Sequence, residues 1–188
     1  MQFLIDLWVP ILVSAVAVFL VSSLVHMVLG YHRHDYAELP NEEELLASMR
    51  SAGVAPGEYV FPYCIDMKEL ANESMIKKME EGPIGFMSVK PSGSWAMGKT
   101  LGQWFTNCVV VSALIAYVFA LAVDPAATFL HKFRVAGAVA FLAYAGCTAS
   151  ASIWKAQNWS TTFKHIFDGV LYGVATGAVF AWLGPSVG

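Results

Sequence analysis

Charge is scarce in this chain. Asp, Glu, Lys and Arg make up 13% of its 188 residues, about half of the ~25% usual in soluble domains. Hydrophobic residues make up 57%, and mean hydropathy is +0.57. So few polar groups could not cover the surface of a soluble protein of this length, and the composition points to membrane residence. A basic excess is also missing: the formal net charge is −3, which gives no basis for nucleic-acid binding. Cysteine is thin as well. Cys64, Cys108 and Cys147 lack any C-x-x-C spacing, so neither a disulfide framework nor a thiolate zinc or redox site is expected, and they read as small apolar fillers plus one loop thiol. No H-E-x-x-H run and no Ser–His dyad at a supporting spacing is present, so catalytic residues are expected to be none.

What the chain has instead is four long apolar runs, over residues 3–29, 101–123, 133–153 and 166–183. Each meets or approaches the ~20 residues that carry a helix across ~30 Å of hydrocarbon. The first reads as a retained membrane helix: it has Asp6 in place of a basic n-region, its run exceeds a signal peptide's, and no small-residue cleavage pattern follows. Asp124–Pro125 and Gly184–Pro185 supply helix stops. Trp8, Trp95, Trp104, Trp154, Trp159 and Trp182 lie at or near the span ends, where indole rings settle at the headgroup level. Seven Lys or Arg fall between the first two spans, and Lys155 and Lys164 fall between the last two, against Lys132 and Arg134 on the other side. The positive-inside rule then predicts a cytoplasmic insert with both termini outside. The expected fold is an all-α membrane protein divided as a first transmembrane helix at 1–30, a polar insert at 31–99, and transmembrane helices two to four at 100–188.

The insert holds eleven acids against six bases between Tyr31 and Gly98. Asn41 before Glu42, Glu43 and Glu44 predicts a capping box opening a short helix near 42–52, with Gly53 as its stop. A second helix is expected near 72–81, with strands at 57–64 and 84–90. This α+β unit has too little core to stand alone, so it is expected to lean on the membrane helices. Its acidity favours a protein or cationic partner over anionic lipid.

Gly93 to Thr100 fits the phosphate-loop pattern G-x-x-x-x-G-K-[ST]. The helix after it is a membrane span, and the insert cannot supply the parallel sheet and second carboxylate of a nucleotide site. A nucleotide partner is therefore not expected. The helix start with Lys99 retains a weaker reading as a contact for a lipid phosphate.

The rare polar groups inside the spans are where function is sought. His26 near the end of the first span, Gln103, and Lys164, His165 and Asp168 of the last all fall toward one membrane face, as does the HRHD run of residues 32–35. Asp168 is expected about one turn into its span, paired with Lys164 four residues earlier. His26, His165 and Asp168 are candidate metal ligands by donor type. A proton path and a purely structural polar cluster stand beside that reading, and metal or haem is the only cofactor considered. Gly169, Gly173 and Gly177 recur on one helix face and predict close helix packing, either on the small-residue third span or across a dimer seam.

The runs SSLVHMVLGYHRHDY, GPIGFM, MGKTLGQWF and SIWKAQNWSTTFKHIFDGVLYG resemble a family of small bacterial four-helix inner-membrane proteins. The resemblance covers most of the chain and implies the architecture; it carries no activity and assigns no residue a role. The leading expectation is an accessory, assembly or scaffolding protein that binds membrane lipid and either itself or a membrane-protein partner. A metal- or haem-binding, or proton- or solute-conducting, protein built on the His/Asp/Lys group is the alternative. An enzyme acting on lipids or quinones is the weakest reading, for want of a nucleophile–base pair.

Overall fold

The computed structural model describes residues 2–94 and 96–185, so Trp95 of the expected aromatic belt lies outside the described residues. Helix α1 (Gln2–Asp6) leads into α2 (Trp8–Ser23), which continues as a π-helical turn, Leu24–Val28. In the insert, a 3₁₀ turn (Tyr31–His34) precedes α3 (Glu42–Ser51), β1 (Gly57–Phe61), α4 (Glu73–Glu81) and β2 (Gly85–Val89). After it come α5 (Met97–Ala122), α6 (Phe129–Ala145), α7 (Ala149–Lys155) and α8 (Trp159–Leu183). Four helical stretches, Trp8–Val28, Met97–Ala122, Phe129–Lys155 and Trp159–Leu183, are long and apolar enough to cross a membrane.

Helix α8 is the most enclosed of the four. It packs most extensively on α6 and also on α2, while α2 covers α5. Small residues make the α6–α8 seam close. A Cβ on Gly173 would lie 2.9 Å from the Gly137 carbonyl oxygen, and one on Gly177 would lie 2.8 Å from that of Phe133. Either distance is too short for a real side chain, so the seam requires glycine. Gly169 faces Ala145 in the same row. The glycine stripe expected from sequence is thus used inside the chain, between α6 and α8.

Leu7, Ile11, Ile115, Phe119 and Phe180 fill one half of the core, and Ala15, Val18, Cys108 and Tyr172 the other. Ser14 and Ser112 share a buried hydrogen bond of 3.0 Å between α2 and α5. On the outward faces Leu20, Leu114, Leu121 and Leu142 are each more than half exposed, a surface suited to hydrocarbon rather than water.

Three local expectations need correction. The capping box does not form: Asn41 adopts a left-handed conformation (φ 51°), and its side chain caps nothing. The third apolar run is broken between α6 and α7. There the Thr148 and Ser150 hydroxyls bond back to the carbonyls of Ala145 (2.8 Å) and Cys147 (2.6 Å), in competition with the helix ladder. The last span begins seven residues early, at Trp159, capped by the Asn158 side chain accepting from the Ser160 amide at 3.0 Å. Asp168 therefore lies about two and a half turns inside α8 rather than one.

The insert is thinly packed. Its strands form a two-stranded antiparallel sheet, Gly57 opposite Val89 and Phe61 opposite Gly85. This antiparallel pair is unlike the parallel sheet that a phosphate loop needs. Neither α3 nor β1 buries a residue, and α4 buries Met75 alone. What the insert places against the bundle with consequence is its first five residues.

Candidate metal centre

Chain direction at the end of α2 builds the site. The Ser22 and Ser23 hydroxyls both donate to the Phe19 carbonyl, at 2.9 and 2.8 Å. Such back-bonding competes with the α ladder just where it widens into the π turn that carries His26. Gly30 follows with φ 66°, and a Cβ there would stand 3.0 Å from the Arg33 side chain. That left-handed step suits glycine. It turns the chain into the Tyr31–His34 turn and lays Tyr31, His32 and Asp35 onto the first half of α8.

His32 is the centre of the arrangement. Its Nδ1 lies 2.6 Å from Asp35 Oδ2, and its Nε2 lies 2.9 Å from Asp168 Oδ2. The Tyr31 hydroxyl donates to the other Asp168 oxygen. Lys164 Nζ donates to Asp35 Oδ1 at 2.5 Å and to the Tyr31 carbonyl at 2.7 Å. The rings of His26 and His32 stack with centroids 4.3 Å apart, and His165 follows on the other contact at 5.3 Å. His165 Nδ1 approaches Asp168 Oδ2 at 3.7 Å. One ligand atom from each of His26, His32, His165 and Asp168 lies within 4.8 Å of the others.

Outer partners orient two of these rings. His26 Nδ1 faces the Ser22 carbonyl at 3.1 Å, a bond that requires the proton on Nδ1 and leaves Nε2 with its lone pair. Asp35 holds His32 Nδ1 in the same way, giving the carboxylate–histidine pairing that orients metal-bound imidazoles. Lys164 in turn fixes Asp35. Burial works against ionising the Asp35 carboxyl, but the hydrogen bonds from Lys164 and His32 outweigh it and hold the group below the ordinary carboxylate range. Burial, then the bond to Asp168, pushes the Tyr31 phenol well above the ordinary tyrosine range, so it remains a donor. Lys164 meets Asp35 directly, while Asp168 meets the Tyr31 hydroxyl and the imidazoles of His32 and His165.

The sequence-derived candidates divide clearly. His26, His165 and Asp168 converge. Lys164 joins the cluster through Asp35 and the Tyr31 carbonyl, in place of the expected pairing with Asp168. Gln103 is exposed on α5 and stays outside; its neighbour Trp104 turns inward and donates to Ser22 Oγ at 2.8 Å. Tyr31, His32 and Asp35 are absent from the sequence-derived ligand set. The available signal was a glycine at the end of a span followed within five residues by two histidines and an aspartate. Haem fits poorly: rings stacked at 4.3 and 5.3 Å leave no gap for a porphyrin between two axial imidazoles.

Beside the cluster lies a cavity of about 570 Å³, bounded by the ends of α2 and α6 and the starts of α5 and α8. His26, His165 and Asp168 line one part of it, and Leu101, Trp104, Tyr144 and Tyr172 line another. No protein-family model matches the chain, and no curated protein or solved structure is significantly similar to it.

Proposed function

We propose that this chain is a multi-pass membrane protein that binds one divalent first-row metal ion through His26, His32, His165 and Asp168. The observation that carries the reading is the convergence of these four donors within 4.8 Å, two of them already oriented by outer partners. Three imidazoles and a carboxylate are borderline donors that suit zinc best among four-coordinate ions. Tetrahedral bonds of ~2.0–2.1 Å put ligand atoms about 3.4 Å apart, so the set draws in by roughly 1 Å on binding. His32 Nε2 and Asp168 Oδ2 already stand 2.9 Å apart, and the ion replaces the proton between them.

In this reading the insert and the α7–α8 connection are cytoplasmic, the termini are outside, and the membrane is a bacterial inner membrane. An accessory role toward a membrane partner is compatible with metal binding. A glycine-driven dimer seam is less favoured, because the stripe is occupied within the chain. Proton conduction is also less favoured. Beyond Asp168 the buried polar side chains among the described residues are not linked to the cluster: the Thr176 hydroxyl has no hydrogen-bond partner, and Ser14 bonds only to Ser112 and the Ile11 carbonyl, amid Ala15, Val18, Ile115 and Phe180.

The test is metal analysis by mass spectrometry of protein purified in dodecyl maltoside after exposure to zinc. Wild type is expected to retain about one ion per chain. His32→Ala and Asp168→Asn are expected to retain almost none. Equal metal content in all three proteins would overturn the proposal. Replacement by Co²⁺ adds an optical check, since four-coordinate cobalt gives intense visible bands.

A further inference from the structure

We propose that the cavity beside the histidine–aspartate cluster seats the ring of a neutral, membrane-soluble quinone or quinol, with a ring oxygen at the His165–Asp168 end. The inference rests on the reading of this mouth as a ligand site within a membrane. It adds a second ligand whose binding is measured separately from the metal's.

Size, wall chemistry and charge select this class. At about 570 Å³ the cavity falls in the ~300–1,000 Å³ range of small-molecule sites. Its walls include one indole, two phenols and Leu101, surfaces that favour a planar ring in offset or edge contact. The indole is fixed in place by its bond to Ser22. Polar atoms able to meet a ligand oxygen gather where His26, His165 and Asp168 line the wall. His165 is the least committed of these groups, its one carboxylate approach being 3.7 Å; with one ring nitrogen on the ion, the other carries a proton and donates to a ring oxygen.

Charge argues against a phospholipid headgroup. Among the described residues that line the cavity there is no lysine or arginine, and there is one carboxylate, Asp168. A phosphate would meet that carboxylate with no lysine or arginine on the wall to hold it. A neutral ring with one or two oxygens meets no such repulsion. Entry is available from the side of the bundle: Met27 and Met97, both on the cavity wall, are 69% and 57% exposed. Their flexible side chains can yield to an isoprenoid tail that then runs out into lipid.

The experiment titrates the full chain in dodecyl maltoside with decylubiquinone, following quenching of tryptophan fluorescence, with zinc content measured on the same samples. Wild type is expected to saturate at one quinone per chain. Thr148→Phe and Thr100→Phe each place bulk into the cavity at positions that hold neither a metal ligand nor one of its partners. Both are expected to weaken quinone binding at least ten-fold while zinc content holds. Absence of saturable binding by wild type would overturn the inference, whatever the variants do. So would unchanged binding by both zinc-retaining variants, or equal competition by decylphosphocholine, which would identify a site for any alkyl chain. Zinc retained without quinone binding sinks this inference alone. Quinone binding without zinc sinks the metal reading and leaves the cavity assignment standing.

Discussion

Each end of the bundle draws a lysine into protein, and the two are used differently. At one end Lys132 is 4% exposed, and its ammonium donates to the carbonyls of Pro125, at 3.0 Å, and Pro185, at 2.5 Å. It ties the α5–α6 connection to the segment after α8, where helix termini leave carbonyls without intrahelical donors. Those partners are backbone, so their geometry and charge are fixed. At the other end Lys164 donates to a carboxylate, which holds a histidine, which meets a second carboxylate. Every link after the lysine can gain or lose a proton or accept a metal. Burial of a polar group is therefore a weak pointer to function by itself. The stronger pointer is burial among side chains whose lone pairs converge.

The sharpest way to break this contrast is Asp168→Asn. The amide keeps the shape of the carboxylate but removes its charge and turns one of its two acceptors into a donor, so it can no longer accept from both Tyr31 and His32. We expect zinc affinity to fall at least ~100-fold, read by competition with a chromogenic chelator, with the helical circular dichroism signal retained. Retention of wild-type affinity would mean that the cluster is an ion-pair network only. At the other mouth Lys132→Met is the counterpart. Two carbonyls on otherwise exposed residues lose their donor, at about 1 kcal/mol each. Thermal unfolding in detergent should move down by several degrees while zinc affinity stays at the wild-type value. If zinc binding also weakens, the two mouths are coupled and the contrast fails.

Much of the fold was legible because length and hydropathy are coarse signals. A run of about twenty apolar residues is enough to predict a helix able to cross a membrane, so the four helices and the glycine faces of α8 could be read directly. The ends were harder. α8 begins at Trp159 because Asn158 caps it and Lys164 finds its partner off the helix; neither fact is local to the apolar run. The site shows the same division. His26, His165 and Asp168 announce themselves as rare polar residues in spans. His32, Tyr31 and Asp35 lie just past a span end, where polar residues are ordinary. Only the left-handed Gly30 and the turn after it fold them back, and hydropathy does not register a turn.

Asp35 tests whether the outer partners matter. Carboxylates behind metal-bound histidines are worth 10–100-fold in affinity, and Asp35→Asn should cost a loss in that range, smaller than Asp168→Asn. It should also change the acid limb of stability. The folded Asp35 carboxyl sits below its ordinary range, hence below the unfolded value of about 3.9. Its stabilisation is complete above that value and is lost as pH falls through the folded one. Measured with chelator present, the difference in melting temperature between wild type and Asp35→Asn should hold steady down to about pH 4 and shrink below it. A difference that grows with acidification would reverse the sign assigned to this group.

The smallest expected effect is at Tyr31, and it separates a tuned ligand from a merely adjacent one. The phenol donates to Asp168 Oδ1 while His32 occupies Oδ2, so the two bonds together fix the plane of the carboxylate. Tyr31→Phe removes one bond and little volume. The metal then still finds four donors, with Asp168 freer to rotate. A hydrogen bond to a charged acceptor contributes ~1.5–3 kcal/mol at most, and part of that returns when the ion itself neutralises the carboxylate. Zinc affinity should therefore drop only a few-fold. Because burial and Asp168 keep the phenol's proton in place well beyond its ordinary range, the drop should be the same at about pH 6.5 and about pH 9. An effect that vanishes on the alkaline side would mean that Tyr31 loses its proton there, and that the bond to Asp168 does not hold it.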